Sequence, residues 1–230
     1  MSFRVFVCGQ RSFGAAAFKA LASLSGVDIC GVAAPRNLSG RPDRLWSTAE
    51  LAGFAPLASE AFTSEALPGA TDLIVAAHSH SFISRKARLA ARLGAIGYHP
   101  SLLPRHRGRD AVRWTIAMGD AVAGGSVYWL TDNVDAGDLA AQEHALLRAG
   151  DDAGSLWRRD LFPLGAELLT RVALDLAAGR IVRVPQDESS ATWEPSWGRP
   201  PLHRPELPLL CGAGAEPLQG VCTEAASLRR

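Results

Sequence analysis

The feature that most constrains this fold is a series of short, largely apolar runs, each ended by turn residues and followed by a stretch with helical spacing. Phe3 to Cys8 (FRVFVC) stops at Gly9, and Ser12 to Leu24 then sets Phe13, Ala16, Ala17, Ala20, Leu21 and Leu24 on one face. Val27 to Ala33 reads as a second strand, Pro35 to Pro42 as a loop and Leu45 to Gly53 as a short helix. Asp72 to Ala77 is a third strand, Ser84 to Leu93 a basic-faced helix, and Ala95 to Tyr98 a strand running into His99. Strands that are apolar on both faces and alternate with helices predict an α/β domain, with a mostly parallel sheet covered by helices on both sides.

Further on, Val112 to Met118 has helical character, Gly125 to Leu130 and Leu139 to His144 read as strands, and a long helix from Ala153 to Ala178 closes the sheet. From Val184 the sequence turns to proline and tryptophan with almost no periodicity, a composition that cannot build its own core. Residues 1–183 are therefore expected to form one domain. Residues 184–230 are expected to be an irregular extension, not a second domain, which either drapes over the first through Trp193 and Trp197 or stays partly disordered.

Charge and cysteine content narrow the function classes. A net charge of +1 gives no reason to expect nucleic acid or a membrane surface as partner. Cys8, Cys30, Cys211 and Cys222 show no CxxC spacing, and Cys8 and Cys30 sit in strand-like runs as free thiols would, which favours a reducing cytoplasm. The opening MSFRVFVCGQ does not read as a leader, and no window reaches ~18 apolar residues. The expectation is a cytoplasmic chain of open oligomeric state.

Three stretches could carry chemistry. In CGQRSFG, Gly9 and Gly14 miss the GxGxxG spacing because Arg11 stands where a glycine should admit pyrophosphate, so no nicotinamide cofactor is expected. In HSHSF, residues 78–82, His78 and His80 could share a metal, but no third ligand lies nearby in sequence, and no metal is expected. The loop matters for its place, since ligands of open α/β sheets bind at the carboxyl ends of the strands. The third stretch is GYHPSLLPRHRGRD, where Pro100 and Pro104 restrict the backbone around His99, taken with Asp135 in the turn VDAGD. A histidine oriented by a carboxylate is a general acid/base pair, although Asp135 alone could equally be a turn former.

HPSLLPRHRG, followed by a tryptophan-bearing helix, a strand opened by Gly124 and Gly125, and DNVDAGD, resembles the signature of the formyltransferase family that uses 10-formyltetrahydrofolate. The likeness covers roughly residues 3–182, and the stretch YHPSLLPRHRG is especially similar to the hydrolase domain of 10-formyltetrahydrofolate dehydrogenase. The resemblance implies a Rossmann-like sheet with the folate site across its carboxyl edge. It implies that His99 and Asp135 are catalytic, and that Ser81, Phe82 and Ile83, the turn Ser101, Leu102, Leu103 and Pro104, and Asp135 itself line the folate site. One position departs from the pattern. Transferases of this family usually carry, two residues before the histidine, an asparagine whose amide helps stabilise the tetrahedral oxyanion, and this chain has Gly97. The dehydrogenase's hydrolase domain also lacks that asparagine.

The implied reaction moves a formyl group from 10-formyltetrahydrofolate to an amine, with no metal. Arg105, Arg107 and Arg109 either bind an anionic acceptor or the folate's glutamate tail, or form a solvated basic loop. Methionyl-tRNA formyltransferases generally carry a second domain for tRNA, for which this chain leaves no room, and no glycine-rich cradle for a ribonucleotide phosphate is evident. The expected acceptor is thus a small molecule such as an amino sugar or a hydroxylated ornithine. A 10-formyltetrahydrofolate hydrolase is the first alternative, and a catalytically silent folate-binding module the second.

Overall fold

The computed structural model describes residues 2–36 and 41–198. Its central sheet, in order of position β3-β2-β1-β4-β5-β6-β7, has seven strands among the described residues. The first five are β1 (Phe3–Gly9), β2 (Val27–Ala34), β3 (Leu57–Ala58), β4 (Leu73–Ala77) and β5 (Ala95–His99), all parallel. They are followed by β6 (Val122–Trp129) and β7 (Leu139–Leu146), which pair antiparallel. Connections leave β1 towards β2 on one side and reach β4 on the other. This reversal opens the crevice in which α/β sheets hold ligands.

Period-2 alternation sends the two faces of β1 into separate cores. Val5 and Val7 pack with α1 (Arg11–Ala22), α2 (Arg44–Leu51) and α6 (Phe162–Ala177), through Phe13, Phe18, Leu21, Leu45, Leu168, Leu169 and Val172. Phe6 and Cys8 face the other way, against Ile83, Ala87 and Ala91 around α3 (Arg85–Ala90) and against the ring of Phe62. Phe13 is the hinge of the first core, its ring lying 5.2 to 5.5 Å from those of Tyr98, Trp157 and Phe162. Truncating it to alanine would cost about 3–5 kcal/mol.

The long C-terminal helix is not continuous. α5 (Ala153–Leu156) passes into a π-helical turn, Trp157–Leu161, before α6 begins. Pro163 has no N–H to give the carbonyl of Arg159, so the α-helical ladder cannot run through, and the Tyr98 hydroxyl donates to the Leu161 carbonyl at 2.7 Å. α4 (Ala111–Ala117) follows the histidine loop.

Residues 184–197 run back across the domain. Val184 exchanges backbone hydrogen bonds with Leu139, the Trp129 indole donates to the Val182 carbonyl, and the Trp114 indole donates to the carbonyl of Pro195. Trp197 meets Trp114 edge-on at 5.0 Å. The expected contacts of the extension after residue 198, Cys211 and Cys222, and the tip of the Pro35 to Pro42 loop lie outside the described residues. Among those described, no helix is long and apolar enough to cross a membrane.

Candidate functional site

His99 is the last residue of β5 and points away from the core face that Ile96 and Tyr98 occupy. β6 ends beside the start of β5, where the N–H of Leu130 meets the Ala95 carbonyl, and the chain then folds back through residues 131–137 before β7. Gly137 makes that return possible, because a Cβ there would lie 1.7 Å from the Trp129 carbonyl oxygen. The turn carries Asp135 to the histidine. His99 Nδ1 lies 3.5 Å from Asp135 Oδ2, and both side chains are buried.

The partners of each atom define what the pair can do. His99 Nε2 lies 2.6 Å from the His106 carbonyl. A carbonyl only accepts, so Nε2 carries the proton and Nδ1, on the side of Asp135, is the unprotonated nitrogen of the neutral ring. Asp135 Oδ2 accepts the Gly108 N–H at 2.7 Å, and its Oδ1 accepts the Tyr128 hydroxyl at 2.5 Å. Each carboxylate oxygen of Asp135 therefore has a donor, which fixes the orientation of the group. Burial and the adjacent Asp135 charge push the Tyr128 phenol well above its ordinary range, so it remains a donor.

Tyr128 also stands beside Gly97. The two are directly paired across β5 and β6, and a Cβ on residue 97 would approach Leu130 Cδ2 to 3.1 Å, a tight contact, and meet Tyr128 Cε1 at 3.4 Å and the Tyr128 hydroxyl at 3.5 Å, ordinary packing distances. Tyr128 has no signal in the sequence, where it reads as one apolar strand residue among others.

The histidine loop is strained and heavily braced. Asp135 (φ 52°), His106 (φ 57°) and Asp110 (φ 62°) occupy the left-handed region without being glycine. Such conformations cost of order 1–3 kcal/mol each and persist only where surrounding bonds over-determine them. His106 is held between Asp120 Oδ2 (2.8 Å from Nε2) and Glu194 Oε1 (2.9 Å from Nδ1). Arg105 binds both oxygens of Asp120, and Arg107, buried, binds Glu188 and Gln186. This corrects the expectation for the basic cluster: Arg105 and Arg107 are engaged in internal pairs and are not available to an anion. Among the described residues, the side chains of Arg109 and Arg11 have no such partner, and both act electrostatically on His80.

The remaining expected site residues surround the pair unevenly. Phe82 is exposed and Ile83 buried, and Arg88 donates to the Ile83 carbonyl at 2.6 Å while pairing with Asp132, which ties the 81–83 loop to the Asp135 turn. Ser101 and Leu103 are buried; Ser126 Oγ donates to the Ser101 carbonyl and accepts the Leu103 N–H, so these two brace the turn against β6. Ser81 is exposed, and Leu102 and Pro104 are half-buried. A cleft of about 450 Å³ opens beside the Asp135 turn, lined by Asp132, Val134, Glu188 and Trp193 among others. A larger groove of about 720 Å³ lies between β7 and the π turn with α6, and contains none of the motif residues.

His78 and His80 stand apart, with rings 5.0 Å from one another. Among the described residues no group of three metal-ligating side chains is assembled. The Asp43 carboxylate caps α2 by accepting the Leu45 N–H, and it also takes up the Arg11 N–H at the start of α1.

The sequence matches the formyl transferase family over residues 4–172. It is 33% identical over 201 residues to human cytosolic 10-formyltetrahydrofolate dehydrogenase, an alignment covering 83% of this chain and 22% of that protein. It is 38% identical over 125 residues to the methionyl-tRNA formyltransferase of Lactiplantibacillus plantarum, covering 54% of this chain and 39% of that one. The chain thus spans about a fifth of the length of the dehydrogenases it matches. In fold it is similar to glycinamide ribonucleotide transformylase 1 from Symbiobacterium toebii (TM-score 0.66, 22% identity, 80% of this chain and 93% of that one). It is also similar to the sugar 3N-formyltransferase WlaRD (TM-score 0.70, 11% identity, 84% and 70%). The chain belongs to the formyl transferase family, with the fold that the first motifs implied.

Proposed function

We propose that this chain moves the formyl group of 10-formyltetrahydrofolate to the amine of a small-molecule acceptor, with His99 and Asp135 as the acid/base pair. The observation that carries the reading is the 3.5 Å approach of His99 Nδ1 to a carboxylate held by Tyr128 and Gly108. The acceptor nitrogen attacks the formyl carbon, a C–N bond forms, and the carbonyl oxygen gains negative charge. His99 Nδ1 takes the proton that the amine sheds, Asp135 stabilises the resulting cation, and the same proton passes to N10 as the C–N10 bond breaks. The products are a formamide and tetrahydrofolate.

The folate would lie along Ser81, Phe82 and Ile83 and the 131–135 turn, at the carboxyl edge where α/β sheets hold ligands. An anionic group of the acceptor or of the folate tail would meet Arg11 and Arg109, the two guanidinium groups whose charges, after burial, lower the pKa of His80. Relatives whose names specify sugar substrates support a small acceptor. Free thiols at Cys8 and Cys30 fit the reducing compartment of a cytoplasmic enzyme.

Gly97 favours one other reading. A glycine has no side-chain amide to offer the oxyanion, and the neighbouring Tyr128 hydroxyl is turned to Asp135. Water in place of the amine would then give formate and tetrahydrofolate. The test is release of tetrahydrofolate by the purified protein, with and without a panel of amines. Release only with an amine establishes a transferase, and release without one, lost in His99→Ala and Asp135→Ala, a hydrolase. Binding of the folate with no release under any condition contradicts both and leaves a silent module.

A further inference from the structure

The two strained backbones of the site, at His106 and Asp135, are each held from one segment of chain that lies beyond the family-matched residues 4–172. Thr192 Oγ1 accepts the N–H of His106 at 2.8 Å, and the neighbouring backbone continues the brace, with Arg107 N–H donating to the Thr192 carbonyl and Thr192 N–H to that of Pro104. On the other side, Gln186 Nε2 donates to the carbonyls of Asp135 (2.8 Å) and Gly137 (2.7 Å). Its Oε1 accepts from Arg107 Nε (3.1 Å) and Nη2 (2.8 Å). One primary amide thereby uses all its hydrogen-bonding capacity to join the histidine loop to the aspartate turn.

We infer that Gln186 is a positioning residue for the reaction: it fixes the Asp135 turn to Arg107, one residue from the His106 carbonyl that orients His99, and so sets the His99–Asp135 separation. The inference rests on the acid/base reading of that pair. Gln186 touches neither the His99 ring nor the Asp135 carboxylate and acts through the Asp135 and Gly137 carbonyls and the Arg107 guanidinium. Because a misplacement of about 1 Å at a reacting pair costs about a hundredfold in rate, its loss should appear in kcat and not in binding.

The test compares Gln186→Leu and Gln186→Glu with Trp114→Phe, which removes the bond to the Pro195 carbonyl and leaves both turns untouched. Gln186→Glu keeps the acceptor for Arg107 and loses both donors, so it serves even where the leucine variant fails to fold. Folding is checked by thermal melting, kcat and KM by tetrahydrofolate release, and the His99 ring by its ¹⁵N resonances. Expected for the folded Gln186 variants is a kcat lowered about tenfold to a hundredfold, KM for the folate donor changed little, and shifted His99 ring signals. Trp114→Phe should leave all three near wild type. Unchanged kcat and ring signals in Gln186→Glu overturn the inference, as does an equal loss in Trp114→Phe. If wild type releases no tetrahydrofolate, the functional reading fails, and the ring signals alone decide whether Gln186 positions His99.

Discussion

Two histidine-bearing turns leave the same edge of the sheet, one after β4 and one after β5, and they are built in opposite ways. His78 and His80 have no hydrogen-bond partner among the described residues. Burial, with the charges of His80 and Arg11, pulls His78 down to about 4. His99 and His106 instead have an oxygen within 3.5 Å of each ring nitrogen, and their loop is tied to β6, to Asp120 and to residues 186–194. Topology places both turns at the carboxyl edge, where α/β sheets hold ligands, and the second holds a ring 3.5 Å from a buried carboxylate. In the proposed reaction the same residue type takes its role from its partners.

The comparison can be broken most forcefully at the chemistry. His99→Ala and Asp135→Ala should each lower turnover about 10²- to 10⁴-fold, the usual weight of a positioned acid or base, while His78→Ala leaves kcat little changed. Steady-state kinetics on folded protein checks this, and equal losses in all three variants would erase the distinction between the turns. Next in size is Gly137→Ala. A methyl group 1.7 Å from the Trp129 carbonyl forces the Asp135 turn to shift, at a cost of about 3 kcal/mol in urea unfolding together with lost activity.

Two pH effects sharpen the contrast between the buried and the open turn. Burial raises both tyrosines, Tyr98 and Tyr128, and they are the chain's only two. Above the ordinary phenol value of about 10, the unfolded chain sheds protons that the folded one retains, so stability is full below about pH 10 and falls as pH rises. Phenolate absorbance should therefore appear only together with unfolding. The smallest effect belongs to His78. Its depressed value means that the unfolded chain gains a proton first, so stability falls as pH drops from about 6.5 towards 4. His78→Gln should flatten that part of the stability profile without moving the alkaline limb, as denaturant melts at several pH values would show.

Most of the sheet was legible because its strands are apolar, bounded by turns and separated by helices. β3 was not, since Leu57–Ala58 is two residues long and carries no periodicity. β7 ends at Leu146, beyond the expected bound, because this edge strand is exposed at alternate residues and loses the apolar signal, and β6 begins at Val122 because the small residues Ala123 and Gly124, although buried, carry no strand pattern of their own. The π turn was half legible: Pro163, ten residues past the expected helix start at Ala153, marks an interruption, but nothing in the pattern says that a π turn makes it. His99 and Asp135 were legible through their motifs. Tyr128, Gln186, Thr192 and Asp43 were not, since each acts on atoms distant in sequence or across a strand pair. The basic run was misread in part for the same reason, because Asp120 and Glu188, which take up Arg105 and Arg107, cannot be matched to them by spacing.

The central claim, that this site transfers a formyl group, is tested most directly by following the carbon itself. With 10-formyltetrahydrofolate ¹³C-labelled at the formyl carbon, NMR should show the label leaving N10 and appearing as a formamide on one amine of an acceptor panel, in wild type and not in His99→Ala. Label that remains on N10 with every acceptor and with water, while the folate is bound, would contradict the account.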